Sequence, residues 1–208
     1  MKVWAIVVAG GSGSRFGGPK HAVLLGGVPL WRRCVQTLEA AGLETVVVVG
    51  DVPGGLPGGL RRRDSVSAGL SVVPDTVEWV LVHDAARPLV SIKLVERVIE
   101  AASSATADAV IPVSRVTDTL KIVDGDTVMG TVDRSALVAV QTPQAFRTTK
   151  LKKAHLRDLD DDVTDDAGLI EREGGIVMTV PGEVTNIKIT FDGDLELAEA
   201  LLGRLQLE

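Results

Sequence analysis

Val7-Val8-Ala9-Gly10-Gly11-Ser12-Gly13-Ser14-Arg15-Phe16-Gly17-Gly18-Pro19-Lys20 carries the chain out of an apolar run and into a loop rich in glycine. The run Val3 to Val8 reads as a buried strand. Gly10, Gly11 and Gly13 bring no Cβ to hold a ligand away from the backbone. Successive N–H groups in such a loop form a concavity for anions. Arg15 and Lys20 add fixed positive charge beside it, and the combination suits a polyphosphate. The spacing is not that of a P-loop, because no Gly-Lys-Ser/Thr follows at the required distance. It also lacks the third glycine of the dinucleotide fingerprint, and Pro19 opposes a helix running on from Gly13. A plain glycine turn is the competing reading, and the two cations in the same loop weigh against it.

Outward from this loop, the pattern alternates strand and helix. Leu30 to Ala41 has helical apolar spacing, and Gly42 suits its C-cap. Thr45 to Gly50 is a second valine-rich strand, so strand, helix and strand form a βαβ unit with parallel strands. Val52 to Leu60 is a Pro/Gly loop. Arg61-Arg62-Arg63 precedes a helix expected from Asp64 to Leu70, and one of the three arginines is expected to face the phosphate loop. Trp79 to Val82 is a third strand, ending in His83-Asp84-Ala85-Ala86-Arg87-Pro88. Ligands of open α/β sheets sit at such strand ends, which makes Asp84 a candidate Mg²⁺ ligand. A simple ion pair between Asp84 and Arg87 is the alternative. His83 is given no catalytic role.

Ile92 to Ala102 is an amphipathic helix, and Ala109 to Val113 a strand. Val116 to Val123 and Thr127 to Val132 then alternate around Asp124-Gly125-Asp126, which signals a hairpin. Ala136 to Val140 reads as a return strand and Thr149 to Leu156 as a helix. Thr164-Asp165-Asp166 reads as an N-cap opening a helix to Glu173. Ile176 to Val180 and Val184 to Thr190 are expected strands, and Leu195 to Leu205 a closing helix.

Composition narrows the classes. A chain of 208 residues, 45% apolar, fits one α/β domain. A net charge of −6 argues against general nucleic-acid binding. The only cysteine, Cys34, falls in an apolar helical pattern, consistent with a core residue in a reducing compartment. The first apolar run is too short for a signal peptide and no run is long enough to span a bilayer, so a cytoplasmic protein is expected.

Several motifs in order resemble one family. They are Ala9 to Arg15 with Pro19-Lys20, Arg63-Asp64-Ser65-Val66, His83 to Pro88, Asp118-Thr119, Thr131-Val132-Asp133-Arg134, Gln141-Thr142-Pro143-Gln144, Thr164 to Ala167 and Asn186-Ile187-Lys188. Together they resemble the 2-C-methyl-D-erythritol 4-phosphate cytidylyltransferases of the non-mevalonate isoprenoid pathway, across nearly the whole chain. The resemblance implies an α/β, Rossmann-like three-layer sandwich of the nucleotide-diphospho-sugar transferase type. Its sheet would be mostly parallel, with a protruding β-hairpin arm at about residues 115–135 of a single domain spanning 1–208.

It also implies a site. Ala9, Gly10, Gly11, Ser12 and Gly13 would wrap CTP, with Gly59, Ser65 and Ala85 also on the nucleotide. Arg15 and Lys20 would stabilise the transition state. Asp84 would hold Mg²⁺ or another divalent cation, with Arg87 lining the site. Thr119, Arg134, Thr142, Thr164 and Lys188 would hold methylerythritol phosphate, and Arg134 and Lys188 would aim its phosphate at CTP. The arm would make a homodimer and reach the partner's site. Three departures stand out: Leu60 replaces a residue that is often acidic, His21-Ala22-Val23 differs from the usual pattern after the lysine, and the segment between Gly50 and Gly59 is short and glycine-rich. A ribitol-phosphate cytidylyltransferase, a guanylyltransferase acting on a molybdenum cofactor and a non-catalytic nucleotide-binding regulator are the alternatives. The first tends to carry Ser-Val at Ala85-Ala86, the second lacks the motifs ending at Arg134 and Lys188, and the third would not need a full set of cations.

Overall fold

Seven strands form one mixed sheet at the centre of the chain in a computed structural model, which describes residues 1–10, 23–104, 106–157 and 164–205. Strand β1 (Val3–Val8) is followed by a short ribbon of β2 (Leu24–Leu25) and β3 (Val28–Pro29), then α1 (Leu30–Ala40) and β4 (Val46–Val49). Next come α2 (Arg62–Ser71), β5 (Trp79–Asp84), α3 (Ile92–Ser104) and β6 (Ala109–Arg115). The hairpin of β7 (Lys121–Asp124) and β8 (Thr127–Thr131) leads into β9 (Val138–Val140), β10 (Gln144–Arg147) and α4 (Thr148–His155). The chain closes with α5 (Asp166–Arg172), β11 (Val177–Pro181) and α6 (Asp192–Leu205).

The sheet order is β11-β6-β10-β5-β1-β4, with β9 also on β6. Strands β4, β1, β5, β6 and β11 share one direction, and β10 and β9 oppose it. The period-2 geometry of a strand divides the core between the two faces. Ala5, Val7, Trp79, Leu81 and Val110 pack on one face against Cys34, Val35 and Leu38 of α1 and Leu94, Val95 and Val98 of α3. Ile6, Val8, Val80, Val82 and Ile111 pack on the other, against Val66 and Leu70 of α2, Leu151 of α4 and Ile170 of α5. Strands buried on both faces explain the unbroken valine-rich runs, and the result is the expected three-layer α/β arrangement.

Register places the functional edge. Val8 lies beside Val49 on one side and Asp84 on the other, so three parallel strands end together. One antiparallel stretch along β6 is interrupted between β9 and β10 at Gln141-Thr142-Pro143, whose Thr142–Pro143 peptide bond is cis. That break carries Thr142 and Gln144 to the same edge. The N-termini of α3 and α5 are set by short polar side chains: Ser91 Oγ accepts from Leu94 N–H at 3.0 Å, and Asp165 accepts from Gly168 N–H at 3.1 Å.

Three expectations shift. The helix expected from Asp64 begins at Arg62. The first hairpin strand begins at Lys121, not Val116. Val184 to Thr190 is not a strand: its backbone is tied to loops and side chains, with Ile189 N–H donating to Ala86 O at 2.8 Å. The hairpin pairs only with itself among the described residues, and Ile122, Val123, Val128 and Met129 are all exposed on it.

Candidate active site

The glycine-lined side of the site is built by close backbone approach. Ala9 N–H donates to Val49 O at 2.8 Å, and Gly50 has φ +153°. A Cβ there would lie 2.7 Å from the carbonyl carbon of Ala9, so only glycine lets the ends of β1 and β4 meet. Ser65, buried in the first turn of α2, accepts from Gly59 N–H at 3.1 Å, and a Cβ on Gly10 would sit 3.3 Å from its Oγ. Gly10, Gly59 and Ser65 are thus neighbours. Ala85 joins them from the turn after β5, its N–H donating to Val8 O at 3.0 Å. Asp64 closes the N-terminus of α2: its carboxylate takes the Arg61 guanidinium at 3.0 Å and the Arg61 N–H at 3.0 Å, which hold its pKa below the ordinary value. Leu60 points fully into solvent. Gly11, Ser12, Gly13, Arg15 and Lys20 lie outside the described residues.

Beside this loop lies a cleft of about 310 Å³ with Arg62, Asp84, Arg87, Thr142, Thr164 and Lys188 in its wall. Five of these were expected from the sequence, and the structure brings them together from four separate stretches of chain. Asp84 is the hub. Its Oδ1 accepts from Arg62 Nε at 2.9 Å, and its Oδ2 from Lys188 Nζ at 2.8 Å. Burial alone would raise the Asp84 carboxyl, but the Arg62 and Lys188 charges and hydrogen bonds override it and hold it well below the carboxylate range. Arg62 also reaches Asp166, with Nη1 to Oδ2 at 2.6 Å. Burial opposes its charge, yet Asp84 and Asp166 hold the guanidinium firmly protonated. The other oxygen of Asp166 faces His155 Nε2 at 2.9 Å.

Arg87 does not pair with Asp84. Its guanidinium donates to Asn186 O at 2.8 Å and Val140 O at 3.2 Å, clamping the Lys188 segment and the end of β9 at the cleft. Asn186 in turn donates from Nδ2 to Thr142 O at 2.8 Å. Thr142 Oγ1 accepts from Asp84 N–H at 3.1 Å and lies 2.9 Å from His83 Nδ1, while His83 Nε2 lies 3.2 Å from Arg87 O. This chain of partners fits the Nε2–H tautomer, with the Thr142 hydroxyl donating to Nδ1. Full burial lowers the His83 pKa to about 4, against a smaller upward pull from Asp84, so the ring is neutral at pH 7. His83 braces Thr142 to Arg87 O, the structural hydrogen bonding that a histidine at a strand end suggests.

Thr119 and Arg134 stand apart from the cleft. Both are exposed at the base of the hairpin, where the Arg134 guanidinium donates to Thr117 O. The residue that sequence reading could not single out is Arg62. Three consecutive arginines give no helical phase, and only the start of α2 decides which one points inward. His155, Asp166 and Gln144 were also missed as site residues. Gln144 Nε2 donates to Asp165 Oδ2 at 2.8 Å and lines the cleft.

A divalent cation fits this donor set in one way. Among the described residues no three His, Cys, Asp or Glu side chains cluster to bind a metal. Among the described residues Asp84 offers a carboxylate at the ends of the parallel strands, with Lys188 on its Oδ2, and Asp165 and Glu171 also line the cleft. One carboxylate plus phosphate oxygens is an ordinary Mg²⁺ set, so the ion would arrive with a polyphosphate. Among the described residues no helix is long and apolar enough to cross a membrane.

The family model of 2-C-methyl-D-erythritol 4-phosphate cytidylyltransferase matches residues 55–204. A protein of that name from Frankia casuarinae is 46% identical over 220 residues, covering 98% of this chain and 82% of the relative. One from Rhodococcus jostii is 45% identical and covers 96% and 95% of the two chains. A bifunctional IspD/IspF enzyme from Solidesulfovibrio magneticus is 44% identical over 96% of this chain, which spans only 57% of that longer protein. Among solved structures, the 2-C-methyl-D-erythritol 4-phosphate cytidylyltransferase of Thermus thermophilus superposes with a TM-score of 0.83 at 37% identity, over 97% of this chain and 98% of that one. The corresponding Francisella tularensis structure gives a TM-score of 0.84 at 30% identity, over 97% and 100%.

Proposed function

The chain belongs to the 2-C-methyl-D-erythritol 4-phosphate cytidylyltransferase family and moves CMP from CTP to 2-C-methyl-D-erythritol 4-phosphate in isoprenoid biosynthesis; we propose that the Asp84 cleft receives the acceptor and the glycine loop the nucleotide. The observation that carries this reading is the arrangement around Asp84. It ends β5 in register with Val8, and Arg62, Lys188, Thr142 and Thr164 converge on its cleft beside the turn at Ala9-Gly10.

The chemistry asks for charge control. An acceptor phosphate oxygen attacks the α-phosphorus of CTP, the bond to the β-phosphate breaks, and pyrophosphate leaves. The products are 4-diphosphocytidyl-2-C-methyl-D-erythritol and pyrophosphate. The acceptor is already ionised, so no protein base is needed, and a neutral, fully bonded His83 agrees with that. The protein must bring two anions together and stabilise charge as it moves. Lys188, half-exposed on the rim of the cleft, is placed to transfer from Asp84 to the acceptor phosphate. Arg87 holds the loop that carries it. Ala9, Gly10, Gly11, Ser12 and Gly13 would wrap the triphosphate, Gly59, Ser65 and Ala85 would frame the nucleotide, and Arg15 and Lys20 would meet the developing charge. Thr142 and Thr164 would orient the polyol. Asp84 would hold Mg²⁺ together with the CTP phosphates, where the ion supplies charge neutralisation when bound.

Arg134 and Thr119 are exposed at the arm's base and are not among the residues lining the cleft. A two-fold homodimer would bury the exposed Ile122, Val123, Val128 and Met129 and carry both residues into the neighbouring site. The buried single Cys34 suits a cytoplasmic enzyme.

Asp84→Asn tests the cleft. The amide keeps the shape and removes the anion. The Mg²⁺ concentration giving half-maximal pyrophosphate release should rise about tenfold or more, the scale on which one charged hydrogen-bond partner acts. An unchanged Mg²⁺ titration would leave Asp84 with its ion pairs alone.

A further inference from the structure

Arg62 lies at the centre of an alternating set of charges that begins at the cleft and ends in the core. Each of four carboxylate oxygens meets one donor: Lys188 and Arg62 on Asp84, Arg62 and His155 on Asp166. One guanidinium therefore spans two carboxylates. The partners differ in freedom. The Asp166 side chain is 2% exposed and that of Lys188 44%. A lysine is a compact charge on a flexible stem, whereas the arginine fork fixes two directions at once. Of the two cations on Asp84, Lys188 is the one able to leave.

We propose that Arg62 is a positioning residue: by holding one oxygen of Asp84, and being held by Asp166, it lets Lys188 leave the other oxygen for the acceptor phosphate. The proposal rests on the reading of the cleft as the acceptor site. With Arg62 in place, Asp84 keeps a fixed side-chain cation on Oδ1 after Lys188 departs, independently of any Mg²⁺ that arrives with CTP. Without Arg62, Lys188 is the remaining described cation in contact with Asp84 and is retained there. Asp166 contributes by fixing Arg62, with His155 on its far oxygen.

A pair of variants separates positioning from plain structural support. Arg62→Met leaves Asp166 without its cation and is expected to lower Tm. Arg62→Met with Asp166→Asn removes both members of that pair, and its amide oxygen still accepts from His155 Nε2, so Tm should recover. Steady-state pyrophosphate release is then measured against methylerythritol phosphate and CTP at saturating Mg²⁺. In both variants the KM for the acceptor should rise about tenfold or more, the weight of a charged hydrogen bond, while the KM for CTP stays within about twofold. If the double variant regains the acceptor KM together with Tm, Arg62 is only a structural tie. An unchanged acceptor KM, or an equal rise for both substrates, also overturns the proposal. No pyrophosphate release by the unmutated enzyme with this acceptor would instead overturn the acceptor reading on which it rests.

Discussion

Lys20→Ala should lower kcat by about 10²–10³, the usual consequence of losing one preorganised donor to transition-state charge, with little change in CTP affinity. The reason lies in what the described cations already do. Arg62 is committed to Asp84 and Asp166, and Arg87 to two backbone carbonyls. Lys188 is the one expected at the acceptor. The charge that builds on the departing pyrophosphate must therefore be met from the glycine loop, where Lys20 and Arg15 supply it in the family pattern. Such a contact strengthens as the bond to the β-phosphate breaks, so its loss falls on kcat. Parallel measurement of kcat and of the CTP dissociation constant checks this. A loss confined to KM would make Lys20 a binding residue and no more.

Mixing two inactive chains should restore activity. On the proposed reading, Lys20→Ala removes a residue that would serve its own chain's site, and Arg134→Ala one that the arm would deliver to a partner. Unfolded together and refolded, the chains pair at random, and about half of the dimers are mixed under closed two-fold symmetry. Each mixed dimer has one site lacking both residues and one site complete. Activity should return to roughly a quarter of the unmutated level if the sites act independently. The exposed arm motivates this test. Arg134 is exposed and held at Thr117 O, away from the Asp84 cleft, on an excursion whose apolar side chains find no cover within the described chain. If Arg134 served its own chain, every site would still lack one residue. Continued inactivity, with mixed dimers shown to be present, would rule out the shared site.

The central parallel strands of the sheet are legible in the sequence. The runs ending at Val8, Val49 and Asp84 are apolar on both faces, so their strand character and parallel order follow from composition and the intervening helix. Asp84 was marked as functional by standing at a strand end. Thr164-Asp165-Asp166 announced a helix start, and Asp165 is the residue whose carboxylate caps it. Other features depend on contacts distant in sequence. Val184 to Thr190 has strand-like residues, but its polar backbone groups are taken by Ala86 and Arg87 and not by a ladder. The Asp84–Arg87 pair looked natural at i, i+3, yet the carbonyls of Asn186 and Val140 are better placed for that guanidinium. Asp166 reads in the sequence as a first-turn acid of the helix that Thr164-Asp165 opens. Its partner Arg62 is 104 residues away and cannot be found by local pattern.

Pyrophosphate release from CTP and Mg²⁺, followed side by side with 2-C-methyl-D-erythritol 4-phosphate and with ribitol 5-phosphate, tests the assignment most directly. The methylerythritol substrate should be turned over with the higher kcat/KM, and 4-diphosphocytidyl-2-C-methyl-D-erythritol should accumulate in step with pyrophosphate. Faster turnover of ribitol 5-phosphate, or CTP binding without pyrophosphate release from either acceptor, would contradict it.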